Sequence, residues 1–197
     1  ERPLKLNFQA TRERIARLEE EKAFQGLTQS KKKGEAAAKE QEDGRKFQEA
    51  VRGLLRSLPD TLYRDREEFA EVVQGAARRA RLKLPAPILK AVLSALSERD
   101  ETASVCIDKD GNPEPDPDLR DTESVPLADG PDPANGHGVP ASVQDFFERE
   151  VKPHVPDAWI DTSRRDAKDG LVGMIGYEIN FNRYFYKYAP PRPLEEI

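Results

Sequence analysis

The first sixty residues alternate apolar and polar positions with a strand period and then with a helical period. Residues 4–8 (LKLNF) alternate apolar with polar, which is typical of a half-buried strand. Thr11 can then cap a helix that we expect to end between residues 27 and 30. A second helix is predicted from Glu35 to its stop at Pro59. Its apolar residues recur at the spacing of one helical face: Phe47, Val51, Leu54 and Leu58.

Two more helices follow before residue 100. Asp65, with Glu68 three residues later, resembles a capping box and opens the third helix. Residues 88–96 are largely apolar after Pro85 and Pro87, which predicts a short, buried fourth helix. The apolar stripe of the third helix consists of Phe69, Val72, Val73, Ala76 and Ala80.

The character of the sequence changes near Glu101. Residues 105–107 (VCI) predict a short strand, and the Asp-Gly pair at 110–111 predicts a hairpin turn. Residues 112–140 hold seven of the sixteen prolines among Asp, Glu and Gly, a composition typical of a linker or a disordered segment. The turn chemistry of residues 116–119 (DPDL) leads us to expect instead an ordered, irregular acidic clasp. Its proposed apolar anchors are Leu119, Val125 and Leu127.

The C-terminal part combines one helix with an aromatic stretch. Residues 143–151 (VQDFFEREV) predict the helix, and residues 177–188 alternate as a strand that bends at Asn182-Arg183, where the alternation slips by one residue. These aromatic residues either form a partner interface or close the chain's own core. The candidate interface residues are Tyr177, Phe181, Arg183, Tyr184, Tyr186 and Tyr188.

These elements predict a mainly α fold, a helical bundle of hairpin helices with a small β element and a long irregular Pro/Asp-rich segment. After residues 1–10, we divide the chain into a helical region (11–100), a short hairpin with the acidic clasp (101–140) and a C-terminal part (141–197). The last part holds the helix and the bent aromatic strand, and it leads into a truncated helix. Because the single methionine is internal, we expect a fragment of a longer protein.

Charge is distributed unevenly along the chain. The net charge of −5 divides into +5 over residues 1–100 and −10 over residues 101–197, and neither value is typical of an autonomous DNA-binding protein. The lone Cys106 fits a reducing compartment, and no apolar run approaches the ~20 residues that span a bilayer. We therefore expect a cytoplasmic protein with no membrane partner.

One basic cluster is a candidate for phosphate contacts. Basic runs can follow a nucleic-acid backbone, although they are more often the solvated C-terminal end of a helix, where cations suit the helix dipole. The cluster consists of Arg78, Arg79, Arg81 and Lys83.

The sequence offers no catalytic, cofactor-binding or metal-binding residues. His137 and His154 lack the spacing of metal ligands. Residues 189–192 (APPR) share their two prolines with the Asn-Pro-Pro-aromatic motif of amino-methyltransferases. That motif needs an amide and a stacking aromatic ring, and Ala189 and Arg192 supply neither.

Two C-terminal stretches carry a family resemblance. Residues 148–161 (EREVKPHVPDAWID) and 176–197 (GYEINFNRYFYKYAPPRPLEEI) resemble the C-terminal region of the M subunit of type I restriction–modification systems. That subunit is an adenine-N6 DNA methyltransferase. Residues 110–127 and 1–9 resemble the same family, whereas residues 162–175 are longer than the family spacing leads us to expect.

The resemblance implies an assembly segment without chemistry of its own. Residues 1–10 would end a strand of the catalytic domain, and the S-adenosylmethionine loop and the Asn-Pro-Pro-Phe motif would lie upstream of Glu1. The remainder would hold the M subunit to the specificity subunit, with the restriction subunit and DNA as further partners in the complex. The alternative is a free-standing helical DNA-binding module that uses residues 78–83. A self-contained enzyme is the third hypothesis, and no nucleophile–base, metal or phosphate-loop pattern supports it.

Overall fold

A computed structural model describes residues 1–30, 32–176 and 187 of the chain. The chain divides into two compact units. The first unit comprises Glu1–Thr122 and Asp157–Trp159, and the second comprises Glu123–Pro156 and Ile160–Ile197.

The first unit is mainly helical and contains a two-stranded antiparallel sheet, which confirms the predicted class in outline. The strands β1 and β2 pair with Phe8 opposite Ser97. The elements in chain order are β1 (Leu6–Phe8), α1 (Arg12–Arg17), α2 (Lys22–Gln25), α3 (Glu35–Arg56), α4 (Arg66–Arg79), α5 (Ala86–Ala95) and β2 (Ser97–Arg99).

The predicted first strand lies at the centre of the unit. Phe8 is fully buried and stacks on Phe69 of α4, with ring centroids 5.3 Å apart. The backbone N–H of Phe8 donates to the carbonyl of Tyr63 at 2.8 Å, so the strand is bonded on both sides. The alternation of apolar and polar residues therefore located a strand whose buried side chain packs against a helix.

The second and third predicted helices are confirmed as α3 and α4. The predicted face is buried at Val51 and Leu54 of α3 and at Leu58 just beyond its end, and Phe47 is partly buried against the same core. At the start of α4, the Asp65 side chain accepts the backbone N–H of Glu68 at 3.0 Å, which is the predicted cap.

The single helix predicted after Thr11 is wrong. Two short helices, α1 and α2, are separated by one 3₁₀ turn (Leu18–Glu20) and by Glu21, whose backbone is extended. Leu18 and Phe24 are both fully buried. In one continuous helix, six residues of separation would place their side chains about 120° apart around the axis. The break lets both side chains reach the same core.

A close backbone contact fixes the turn after α2 against α3. A Cβ atom at Gly44 would lie 1.8 Å from the carbonyl oxygen of Leu27, so only glycine fits at this point of α3. One turn further along α3, the amide nitrogen of Gln48 donates to the carbonyl of Phe24 at 2.7 Å.

One hydrophobic core joins all these elements. Its fully buried large side chains come from β1, from the turns around α2, and from α3, α4 and the end of α5. They are Phe8, Leu18, Phe24, Val51, Leu55, Phe69, Val73, Val92 and Leu96.

The acidic segment after Glu101 contains little regular structure. Residues 105–107 form only isolated bridges, to Lys5 and within their own hairpin, instead of the predicted strand. Leu127 is wrong as an anchor because it is 64% exposed. Within residues 112–140 the buried side chains are Val139 and the charged Asp116, and neither is among the predicted anchors.

The second unit contains the predicted helix near residues 143–151. It begins earlier, as α6 (Ala141–Phe146), and continues as a π-helical turn (Phe147–Val151). Asp132 accepts hydrogen bonds from the Ser142 backbone N–H at 2.9 Å and from its hydroxyl at 2.6 Å, which stabilises the start of α6. No helix in the described ranges is long and apolar enough to cross a membrane.

Candidate functional site

Three distant segments of the chain meet at the N-terminal end of β1. They are residues 1–5, 114–116 and 157–159, and we refer to them as the junction. Glu1 and Trp159 exchange two backbone hydrogen bonds, with N–O distances of 2.9 and 3.0 Å. Residues more than 150 positions apart are thus paired as in an antiparallel ladder.

The acidic segment joins the same edge through its backbone. The N–H of Leu4 donates to the carbonyl of Glu114 at 2.8 Å, and the N–H of Asp116 donates to the carbonyl of Arg2 at 2.9 Å. Pro3 and Pro115 face each other between these bonds. An antiparallel pairing alternates bonded and unbonded positions, and both prolines stand at an unbonded position, where this pairing requires no N–H.

Ion pairs add to the backbone contacts of the junction. The Nζ of Lys5 lies 2.9 Å from Oδ2 of Asp157, and the Nε of Arg2 lies 3.3 Å from Oδ1 of the same carboxylate. Both cations also approach Glu101, each at 3.4 Å. The hydrogen bond from Lys5, together with Arg2, lowers the pKa of Asp157. The carboxylate therefore remains charged at the junction.

A second acid at the junction is almost entirely buried. The side chain of Asp116 is 2% exposed and accepts two hydrogen bonds from Arg99 of β2. These bonds lower the pKa of Asp116 against the opposing effect of burial. The arrangement is a structural ion pair, because both carboxylate oxygens are engaged by protein donors and neither faces a free site.

The predicted basic cluster is brought together at the C-terminal end of α4. We call its four side chains the basic edge: Arg78, Arg79, Arg81 and Lys83. All four are exposed, and none forms an ion pair with any residue that the structure describes. The edge is therefore open to an external anion.

The predicted interface residues lie outside the described residues. They are Tyr177, Phe181, Arg183, Tyr184, Tyr186 and Tyr188. Their role as an interface stays a prediction.

A groove of about 730 Å³ lies between α1 and α3. Arg52 on its wall holds Glu19 through bonds of 2.7 and 3.0 Å and sits over the Phe24 ring at 5.4 Å. The guanidinium is thus already occupied. The lining consists of Ala10, Arg12, Ile15, Ala16, Glu19, Arg52 and Arg56, which include no nucleophile with an adjacent base.

Two further observations concern reactive chemistry. In the described part of the chain, no group of three or more His, Cys, Asp or Glu side chains is placed to hold a metal ion. Cys106 is buried, and desolvation raises the pKa of its thiol, which disfavours the nucleophilic thiolate.

Sequence reasoning missed the junction. Arg2, Lys5 and Asp157 were not singled out, because ion-pair partners some 150 residues apart leave no local periodicity. The available signal was indirect: these residues lie within stretches that carry the family resemblance. No family model matches the chain, and no curated protein or solved structure matches it either.

Proposed function

We propose that this chain is the C-terminal assembly segment of the M subunit of a type I restriction–modification DNA adenine-N6 methyltransferase. It acts in the cytoplasm, where it docks the catalytic domain onto the specificity subunit. The restriction subunit and DNA join through the complex. The observation that carries the proposal is that three of the four stretches resembling the family, 1–9, 110–127 and 148–161, supply the three segments of the junction.

The chemistry of the junction supports a scaffolding role for these stretches. Their polar groups bind one another: backbone groups are paired, and the carboxylates of Asp116 and Asp157 bind cationic side chains of the same chain. Residues used in this way fix the position of neighbouring chain segments and do not react with a substrate. A fixed scaffold reduces the entropy lost when a partner docks.

In this proposal the parent protein is an S-adenosylmethionine-dependent methyltransferase, and the cofactor and the catalytic motif belong to its upstream domain. We expect the chain by itself to show neither stoichiometric S-adenosylmethionine binding nor adenine methylation. Isothermal titration calorimetry with the cofactor tests this point. Micromolar binding at one site per chain contradicts it.

The proposal also includes residues 112–140 as an ordered acidic clasp. Glu114 and Asp116 hold its first part to Leu4, which precedes β1, and to Arg99 of β2. We expect limited proteolysis of the folded chain to spare residues 112–120. Rapid cleavage throughout the segment contradicts a clasp and indicates a free linker.

Assembly is tested by co-purification with a specificity subunit of a type I restriction–modification system. We expect an immobilised specificity subunit to retain the chain, and Tyr186→Ala to weaken that binding by about 2 kcal/mol, as truncation of an interface anchor does. If the tyrosine closes the core of the chain instead, the same change lowers the free energy of unfolding by about 3 kcal/mol. A pull-down and a melting curve on this variant separate the two roles. Failure of the unaltered chain to bind the specificity subunit contradicts the proposal itself.

A further inference from the structure

We infer that the basic edge at the end of α4 is a contact site for the phosphates of a nucleic-acid backbone. The four cations belong to the chain itself, so the inference does not depend on the assembly role and is tested without any partner subunit.

No acidic residue lies close to the basic edge in sequence, and none of the described acids forms an ion pair with it. Residues 72–97 hold five Lys or Arg and no Asp or Glu, in a chain whose net charge is −5. The next acid along the sequence, Glu98, is occupied by Arg14 and Arg17, each at 2.6 Å. The positive potential of the edge is therefore not cancelled by a nearby ion pair within the described chain.

The backbone at the basic edge is held in a conformation that side chains disfavour. The N–H of Leu82 donates to the carbonyl of Ala77 at 2.9 Å, and the N–H of Arg81 donates to that of Arg78 at 3.1 Å. This pair of bonds is the Schellman motif, which places its left-handed residue at Arg81, with φ 52°. Glycine normally occupies that position because it has no Cβ.

No hydrogen bond or ion pair of its side chain within the described chain accounts for an arginine at this glycine position. Its backbone is strained, its side chain is exposed, and it has no ion-pair partner in the described chain. Strain of this kind is typical of functional positions, where the side chain serves an external ligand. The turn carries Arg81 and Lys83 beyond the helix end, next to Arg78 and Arg79.

The neighbouring apolar residues distinguish nucleic acid from a lipid surface. Leu82 and Leu84 are partly buried and pack against the core. A surface-bound helix needs an exposed apolar face beside its cations, and these leucines do not provide one. The paired N–H donors of arginine guanidinium groups instead match the oxygens of a phosphate. A helix end about 10–12 Å wide is also broad enough to contact several phosphates of a nucleic-acid duplex.

The experiment is a salt-dependent titration of the whole chain with a short fluorescent DNA duplex, between about 50 and 200 mM KCl. Four phosphate contacts predict a slope of log K against log salt of about −3 to −4. The triple variant R78Q/R79Q/K83Q is expected to reduce that slope by about 3 and to lower the affinity at the lowest salt by at least about tenfold. All three side chains are exposed, so the variant should keep its fold, which circular dichroism verifies.

The matched control is K39Q/R45Q/K46Q, which removes the same charge from α3. Those cations lie among the carboxylates of Glu35, Glu40, Glu42 and Asp43, so we expect unchanged DNA affinity. Equal losses in both triple variants indicate an effect of net charge alone and overturn the site. So does an absence of salt-dependent DNA binding by the unaltered chain, or binding to phosphatidylserine vesicles without binding to DNA. A duplex RNA titrated in parallel identifies which nucleic acid supplies the phosphates.

Discussion

Arg99 donates two parallel hydrogen bonds to Asp116, from Nε to Oδ2 at 2.7 Å and from Nη2 to Oδ1 at 2.8 Å. The carboxylate also accepts the backbone N–H of Asp118 at 2.9 Å. It is buried, whereas the guanidinium is half exposed. The pair therefore ties β2 to the acidic segment through a carboxylate that has exchanged water for three protein donors.

Asp116→Ala should lower the free energy of unfolding by about 2 kcal/mol, because it removes a charge-assisted bidentate pair and leaves the segment without its buried anchor. The control is Asp118→Ala. Asp118 bonds the same arginine once and is 69% exposed, so its loss should cost less than about 0.5 kcal/mol. Urea denaturation measures both variants, and equal losses would contradict the anchoring role.

Lowering the pH should lower the stability that the aspartates at and beside the junction contribute. The pKa of Asp116 and that of Asp157 are lowered in the folded chain, and hydrogen bonds from Thr102 lower the pKa of Asp100 to about 2. An unfolded aspartate titrates near 3.9, so the unfolded chain binds more protons below that pH. The stabilisation is present above about pH 4 and is lost as the pH falls towards 2.

Thermal melts between about pH 5 and pH 2 measure this loss. Asp157→Asn should flatten the dependence of the melting temperature on pH, because the remaining amide no longer titrates. An identical pH dependence in the variant and the unaltered chain would show that Asp157 does not contribute to the loss of stability in acid.

Two glycines of α3 should respond oppositely to the same substitution. Gly44→Ala places a methyl group 1.8 Å from the carbonyl oxygen of Leu27, so it should destabilise the chain by about 2–3 kcal/mol. Gly53→Ala meets nothing within 4 Å and should stabilise α3 by up to about 1 kcal/mol through helix propensity. Chemical denaturation of both variants gives the comparison, and a neutral Gly44→Ala would contradict the close approach of Leu27.

Arg81→Gly should stabilise the fold and weaken the binding of DNA. Removing the side chain relieves the left-handed strain and should raise the free energy of unfolding by about 1 kcal/mol. It also removes one cation and should make the salt slope of DNA binding shallower by about 1. Arg79→Gly is the matched control, because it loses the same charge inside α4 and should destabilise the chain by about 1 kcal/mol. If the variant is more stable and binds DNA as tightly as the unaltered chain, the strain at Arg81 does not serve DNA binding.

Local patterns predicted much of the first unit. The face of α3 and the Asp65 cap of α4 could be found because each depends on residues within two or three turns of one another. β1 was located by alternation, but its partner β2 was missed. Residues 97–99 (SER) are polar and only three residues long, so their pairing carries no periodic signal.

Buried charges were the main failure. Arg14 is 6% exposed and donates to the carbonyl of Leu96 and to Glu98, although its position on a polar helix indicates an exposed residue. Asp116 lies in the predicted acidic clasp but was not among its predicted anchors, which are all apolar. Both are buried because a partner distant in sequence compensates the charge, and a single sequence does not show that pairing.

The pairing of Glu1 with Trp159 also sets an order of events during synthesis. A ribosome that adds 5–20 residues per second takes roughly 8–30 s to pass from Glu1 to Asp157. Throughout that interval the backbone edge at Glu1, which later pairs with Trp159, lacks this partner. Nascent chains emerging side by side on one message would each present that edge, so the delay favours exchange of this segment between neighbours.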